Sequence, residues 1–193
     1  RIEFIDDIFN VKAKDFKQFF KLVLKHKLKL NFFFPSALKG DLLDQEGIDL
    51  MIEAGGLGVN ISLESGSSRM QKVMRKNLDL DKFYNNASYI VDKYPHVVLG
   101  LNAMHGFPTE TEKEAMMTLN FIKELKWIHF PYLLTVRAFP NTEIEKFARE
   151  QGVPDEIIKK SQDLSYEDTA PSLTFSQDFT KAVKTMFLKD YVL

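Results

Sequence analysis

Strand-like and helix-like segments alternate about five times between residues 2 and 150, and this alternation constrains the chain more than any other feature. Strands joined through helical crossovers run parallel, and a parallel sheet needs its helices as cover. The sharpest strand signal is 58–64. Val59, Ile61 and Leu63 fall on one face, and Asn60, Ser62 and Glu64 on the other. The apolar face must be buried. The polar face is left for water or a ligand, and Ser65-Gly66-Ser67 follows as a turn able to present backbone N–H groups. A carboxylate at a strand end beside such a turn points to binding.

The other elements follow from period and punctuation. Residues 2–5 read as a short strand ending at Asp6-Asp7. Residues 13–27 read as a helix, with Phe16, Phe19, Phe20, Val23 and Leu24 on one face and lysines on the other. A strand over 28–34 is stopped by Pro35, with Ser36 just past its end. A helix over 42–54 takes Asp41 or Asp44 as its cap and Gly55-Gly56 as its stop. A short helix over 67–76 precedes a longer one capped by Asp79 or Asp81, with Phe83, Ala87, Ile90 and Val91 buried. Residues 97–104 form a strand ending in His105-Gly106-Phe107-Pro108. Thr109-x-x-Glu112 reads as a capping box for the next helix, whose stripe is Met116, Leu119, Ile122 and Leu125. A strand over 128–137 and a helix capped by Asn141 complete the series. Residues 161–176 read as irregular, and Phe179, Val183, Phe187 and Tyr191 mark a final helix. Trp127 and His129 read as packing residues.

Composition narrows the class. Net charge is -1 over 193 residues, so no global field favours nucleic acid or an acidic membrane, and neither is expected as a partner. No apolar run approaches the roughly 20 residues of a membrane span. Cysteine is absent, which excludes disulfides and thiolate metal sites within these residues. A cytoplasmic setting is the default expectation. The chain opens at Arg1, inside a strand-like run and without an initiator Met. The expectation is that preceding residues were removed.

Asp6, Asp7, Ser36, Glu64, His105 and Arg137 each fall at or just beyond a strand's C-terminal end in this reading. In parallel α/β folds that rim is where ligands bind.

Four motifs carry a resemblance. Phe4-Ile5-Asp6-Asp7-Ile8-Phe9 resembles the second-strand motif of radical S-adenosylmethionine (SAM) enzymes, nearest to the subgroup that often carries an upstream cobalamin-binding domain. Leu63-Glu64-Ser65-Gly66-Ser67 with Met74-Arg75-Lys76 resembles the fourth-strand motif. Gly106-Phe107-Pro108-Thr109-Glu110-Thr111 resembles the turn after the fifth strand, and Phe139-Pro140-Asn141-Thr142 the turn after the sixth. The resemblance implies an α/β fold, a partial (β/α)6 TIM-like barrel. Its first βα unit is missing here, leaving about five parallel strands covered by helices over residues 1–152. Residues 153–193 form a C-terminal extension whose final helix packs on the barrel.

The family chemistry is reductive cleavage of SAM by a 4Fe–4S cluster, giving a 5′-deoxyadenosyl radical. The cluster's C-x-x-x-C-x-x-C ligands are absent from this chain, which implies that it is inactive alone. By resemblance Asp6, Asp7, Ser36, Glu64, Ser65, Lys76 and Gly106 would contact SAM, and His105 and Arg137 a small-molecule substrate. The resemblance also implies an Fe–S oxidoreductase or oxidative cyclase, a reductant such as flavodoxin or ferredoxin, and cobalamin through an upstream domain. Two other readings stand beside it. One is a divalent-metal barrel hydrolase or aldolase using Asp7, Glu64 and His105. The other is a degenerate, non-catalytic binding domain. With the first unit missing, the edge of the 2–5 strand would be unpaired, and self-association through it is expected.

Overall fold

The computed structural model describes residues 1–125, 128–163 and 170–191. Five parallel strands form one sheet in the order β1-β2-β3-β4-β5, the strand order of a partial TIM-like (β/α) barrel. The strands are β1 (Ile2–Glu3), β2 (Phe32–Leu38), β3 (Gly56–Glu64), β4 (Val98–His105) and β5 (Phe130–Thr135). The helices are α1 (Ala13–Lys25), α2 (Gln45–Glu53), α3 (Ser68–Val73), α4 (Leu80–Lys93), α5 (Glu112–Glu124), α6 (Glu143–Glu150), α7 (Asp155–Gln162) and α8 (Gln177–Tyr191). The chain divides into two compact units.

The first unit comprises Arg1–Leu63, Met74–Asn102 and Glu124–Tyr132. Its core is built on phenylalanine. Phe4 stacks on Phe34 at 5.1 Å and lies 4.1 Å from Phe9, and Phe16, Phe19, Phe20 and Phe32 close the cluster edge-on. Such pairs add about 0.5–1.5 kcal/mol each beyond their buried area. Helix α1 buries Phe16, Phe20 and Val23 of the five-residue stripe its period predicts, and Phe19 and Leu24 are half-buried. Asp44 caps α2 by accepting from Gly47 N at 2.8 Å, and Asp79 caps α4 by accepting from Lys82 N at 3.1 Å.

Several boundaries differ from the sequence reading. Strand β2 runs through Pro35 to Leu38 and includes Ser36. A proline tolerates this position because the β2–β3 register is broken between Phe34 and Leu38, so no ladder N–H is missed there. His129 is exposed, and its Nδ1 accepts from Leu99 N at 3.1 Å, so it satisfies a strand N–H rather than packing. Trp127 lies outside the described residues.

The second unit comprises Glu64–Val73, Ala103–Lys123 and Leu133–Leu193. Val136, Ala138, Ala148, Ile158 and Leu173 form its core, with Met104, Phe107 and Ile144 packed against them. The N-cap of α6 is Thr142, not Asn141: its side chain accepts from Glu145 N, while the Glu145 carboxylate accepts from Asn141 N at 2.7 Å. Helix α7 starts directly after Pro154 and runs on to Gln162, where the sequence reading has no helix. Helix α8 buries Val183 and Phe187 as expected.

Candidate functional site

Strand β3 sorts its side chains as the alternation requires. Val59, Ile61 and Leu63 are buried, while Asn60, Ser62 and Glu64 stay half-exposed. Glu64 closes the strand in the left-handed region, at φ 61°. That conformation is uncommon for a residue with a Cβ and persists only where its surroundings enforce it.

In the second unit the residues after Glu64 are locked inward. Ser65, Gly66 and Ser67 are buried. The Ser65 carbonyl accepts from Gln71 Nε2 at 2.6 Å, and its hydroxyl accepts from Ser67 N at 3.2 Å. Gly66 N donates to Thr118 Oγ1 at 2.9 Å, and the Ser65 and Thr118 hydroxyls meet at 3.3 Å. The Gly66 N–H therefore holds helix α5 and the Ser67 N–H closes the turn on Ser65, so both groups are engaged within the protein. A Cβ on Gly66 would stand 2.9 Å from Met117 O and 3.0 Å from Thr118 Cα, so glycine admits the helix backbone here.

The first turn of α5 completes the lock. Glu114 accepts from Ser67 Oγ at 2.8 Å, from Arg69 Nε at 2.8 Å and Nη2 at 2.6 Å, and from Thr111 N at 3.0 Å and Oγ1 at 2.8 Å. These donors, the Arg69 guanidinium first, hold its carboxyl at about 2. The capping box is thus Thr111-x-x-Glu114 and not Thr109-x-x-Glu112. Thr109, at φ 70°, belongs to the preceding turn, where its carbonyl accepts from Arg69 Nη2 at 2.7 Å.

At the end of β4, Gly106 has φ 81° and donates its N–H to Glu110 Oε2 at 2.5 Å, as Phe107 N does at 3.2 Å. A Cβ on Gly106 would meet Ser172 Oγ at 2.5 Å. Glu110 is buried and its Oε1 has no hydrogen-bond partner among the described residues; burial pushes its carboxyl up to about 7. His105 is also fully buried. Its Nε2 lies 3.2 Å from Thr135 Oγ1, its ring lies parallel to Phe175 at 6.5 Å, and its Nδ1 has no partner among the described residues. Burial, and then the charge of Lys184, hold it down to about 4, so it is a neutral imidazole at pH 7. Arg137 donates from Nη1 to the Asp163 carbonyl at 3.0 Å, just past α7.

The remaining predicted residues lie in the first unit. Asp6 and Asp7 are exposed in the loop after β1, Ser36 is exposed within β2, and Lys76 is exposed between α3 and α4. The loop of the two aspartates is fastened by Asn10. Its amide donates to Lys39 O at 2.8 Å and accepts from Lys39 N at 2.9 Å. Sequence reasoning missed Asn10, Arg69, Gln71, Glu114 and Thr118. The one local signal for any of them is the second T-x-x-E spacing at Thr111.

A cavity of about 910 Å3 lies between α7, α8 and residues 170–177, lined by Lys160, Ser172, Phe175, Thr180, Lys181 and Leu188 among others. None of the predicted site residues lines it. Its Ser172, Ser176, Thr180 and Thr185 hydroxyls are bound to backbone groups of their own turns and helix. Among the described residues no group of three His, Asp or Glu is placed to hold a metal ion. No described helix is long and apolar enough to cross a membrane.

Comparison with known proteins places this geometry in a family. The model of the radical SAM superfamily matches residues 6–122, and the chain belongs to that superfamily. It is similar to a tRNA-2-methylthio-N(6)-dimethylallyladenosine synthase of Clostridium botulinum, 33% identical over 103 residues, covering 53% of this chain and 22% of that protein. The protein of the same name in Helicobacter hepaticus is 28% identical over 121 residues, covering 55% and 26%. That of Chloroherpeton thalassium is 28% identical over 121 residues, covering 61% and 26%. The chain spans about a quarter of the length of these curated relatives.

The family implies an enzyme that uses SAM and a 4Fe–4S cluster. These comparisons give no support to cobalamin or to an oxidoreductase or cyclase subgroup. They also leave the expectation of no nucleic-acid partner without support, since the relatives are named for a tRNA modification. The residues present do not fit the cluster, because the chain has no cysteine. They do fit SAM. Its amino group and ribose hydroxyls require acceptors, and β3 ends in a half-exposed carboxylate held in a fixed backbone conformation.

Proposed function

We propose that this chain is the SAM-binding core of a radical SAM enzyme, with Glu64 as its principal SAM contact. The observation that carries the reading is the conformation of Glu64. A family motif ends in a carboxylate at φ 61°, and the three residues after it are buried and bonded to two helices. Glu64 accepts from the ribose hydroxyls or the amino group of SAM. The Gly106–Phe107 turn, fixed by Glu110, lays its backbone along the adenine. Ser65 contributes by holding the turn. Asp6 and Asp7 are proposed as acceptors for the amino group, Lys76 as the cation for the carboxylate and Ser36 as a weaker contact, each on the resemblance of its own segment. His105 and Arg137 are proposed to serve the substrate.

When bound, SAM supplies the 5′-deoxyadenosyl group that becomes the hydrogen-abstracting radical. This chain's residues bind and orient it. The reductive step belongs to the whole protein, with a reductant such as flavodoxin or ferredoxin, since the cluster ligands lie outside these residues. Titration calorimetry of SAM against the chain tests the reading. Glu64→Gln should weaken binding roughly tenfold, the loss expected for a charge-assisted hydrogen bond. Unchanged affinity would reject it.

A second reading concerns the substrate. The tRNA-modifying names of the relatives support an RNA, and so does a local charge excess. Residues 12–29 hold seven lysines and one acidic residue in a chain of net charge -1. Filter binding of tRNA at rising salt tests it. Affinity should fall steeply with salt, and Lys25→Glu with Lys27→Glu should flatten the slope.

A further inference from the structure

We propose that Thr118 and Gln71 are positioning residues for the Glu64 carboxylate, holding it in the left-handed conformation from which it meets SAM. The inference rests on the SAM reading of Glu64 and adds what keeps that side chain in place.

A strand-end residue with a Cβ relaxes to negative φ unless its neighbours prevent it. Rotation about the Glu64 N–Cα bond would swing Cβ, and with it the carboxylate, relative to β3. The residue that resists this is Ser65. It is fully buried, so water cannot replace its partners. Gln71 Nε2 donates to its carbonyl at 2.6 Å, and Thr118 Oγ1 lies 3.3 Å from its hydroxyl.

The protons account for one arrangement. Thr118 donates to the Glu114 carbonyl at 3.2 Å, so its oxygen accepts from Gly66 N at 2.9 Å and from the Ser65 hydroxyl. The Ser65 oxygen in turn accepts from Ser67 N at 3.2 Å. Each hydroxyl thus gives its one hydrogen to a named acceptor, Thr118 to the Glu114 carbonyl and Ser65 to Thr118. Thr118 is fully buried and Gln71 nearly so. Glu114 lies one turn before Thr118 on the same face of α5 and grips Ser67 and Arg69. The segment after Glu64 is therefore held at two successive turns of one helix, and at Gln71 from α3.

The test is a double-mutant cycle read by SAM calorimetry, with thermal midpoints measured in parallel. The proteins are the parent chain, Thr118→Val, Thr118→Ser, Glu64→Gln and the Thr118→Val/Glu64→Gln pair. Thr118→Val should weaken SAM binding roughly tenfold, Thr118→Ser should restore it to within about twofold, and the valine should add less than about twofold once Glu64 is glutamine. Equal loss in both Glu64 backgrounds overturns the proposal, as does failure of serine to rescue. Weak binding by Glu64→Gln with unchanged binding by Thr118→Val removes the positioning role alone. Unchanged binding by Glu64→Gln, or none by the parent, removes the SAM reading and the proposal with it. If Thr118→Val does not fold, Gln71→Met runs the same cycle, since it deletes the donor to Ser65 and keeps the volume.

Discussion

Arg69 and Glu114 meet through two parallel hydrogen bonds, Nε to Oε1 at 2.8 Å and Nη2 to Oε2 at 2.6 Å, across 45 residues of sequence. The pair joins the turn after β3 to the first turn of α5. The carboxylate is the buried partner, while the Arg69 side chain is 49% exposed. The two ends should therefore differ in cost. Glu114→Gln puts an NH2 group among donors and should cost about 2–3 kcal/mol, and Arg69→Ala about 1 kcal/mol after solvent screening. Because the Glu114 carboxyl is lowered from 4.5 to about 2, its contribution is full above pH 4.5 and lost as pH falls toward 2. Urea unfolding at pH 7 and at steps down to pH 2.5 measures both effects. Equal costs for the two variants would contradict this account.

The same junction predicts an overpacking penalty. A Cβ at Gly66 would meet the Met117 carbonyl at 2.9 Å and Thr118 Cα at 3.0 Å, both helix backbone that cannot rotate aside. Gly66→Ala should cost about 2–3 kcal/mol by separating α5 from the turn. Denaturant melts of the variant check this, and a change under about 0.5 kcal/mol would mean the contact is loose.

How much of this was legible in the sequence depends on the range of the cause. The βα alternation, the β3 faces and the α1 and α8 stripes rest on local periods, and they were readable. The sequence reading places the second strand at 28–34 because Pro35 normally ends a ladder, whereas β2 spans Phe32–Leu38 and the register break that admits the proline lies in the pairing with β3. Helix α7 was missed because its eight residues include only Ile157 and Ile158 as large apolar groups, too few to set a period. Thr109 and Thr111 each start a T-x-x-E, so spacing alone could not choose between them. Ser67 and Arg69 settle it from more than 40 residues away. For the candidate site, the sequence put polar residues at strand ends. The partners that fix their conformations came only with tertiary structure.

Glu110 predicts a pH dependence of the opposite sign to Glu114. Burial raises its carboxyl from 4.5 to about 7, with the Gly106 and Phe107 N–H groups acting against the shift. A raised folded-state value means the stabilisation is full below pH 4.5 and is lost as pH rises through 7. His105, lowered to about 4, acts the other way between pH 6.5 and 4, so the parent curve mixes the two. The difference between Glu110→Gln and the parent isolates one group. The variant should gain on the parent by roughly 1–3 kcal/mol between pH 4.5 and 8. Stability curves across that range decide it, and a flat difference would place the carboxyl in contact with water.

Strand β1 occupies one edge of the sheet, and among the described residues it pairs with β2 alone. Beside it Ile5 is 78% exposed, and Ile2, Ile8 and Val11 are exposed as well. Unpaired backbone next to apolar side chains is a template for association. The chain should self-associate as concentration rises, and Ile5→Lys should shift it toward monomer. Sedimentation velocity over a hundredfold concentration range reads this directly. A parent that stays monomeric throughout would count against the edge as an interface.

Glu64 itself separates conformation from chemistry. At φ 61° its Cβ crowds its own backbone, at a cost of about 1–2 kcal/mol that glycine does not incur. Glycine also loosens the unfolded chain, which returns roughly 0.4–1 kcal/mol of that gain. Glu64→Gly should therefore be more stable than Glu64→Ala by about 1 kcal/mol, although both lose the carboxylate. Both should bind SAM equally poorly if the carboxylate is the contact. Urea melts give the first comparison and SAM titration the second. A glycine variant no more stable than alanine would show that the left-handed conformation carries no strain here. A glycine variant that still bound SAM at parental strength would assign the contact to the turn's backbone and not to the side chain.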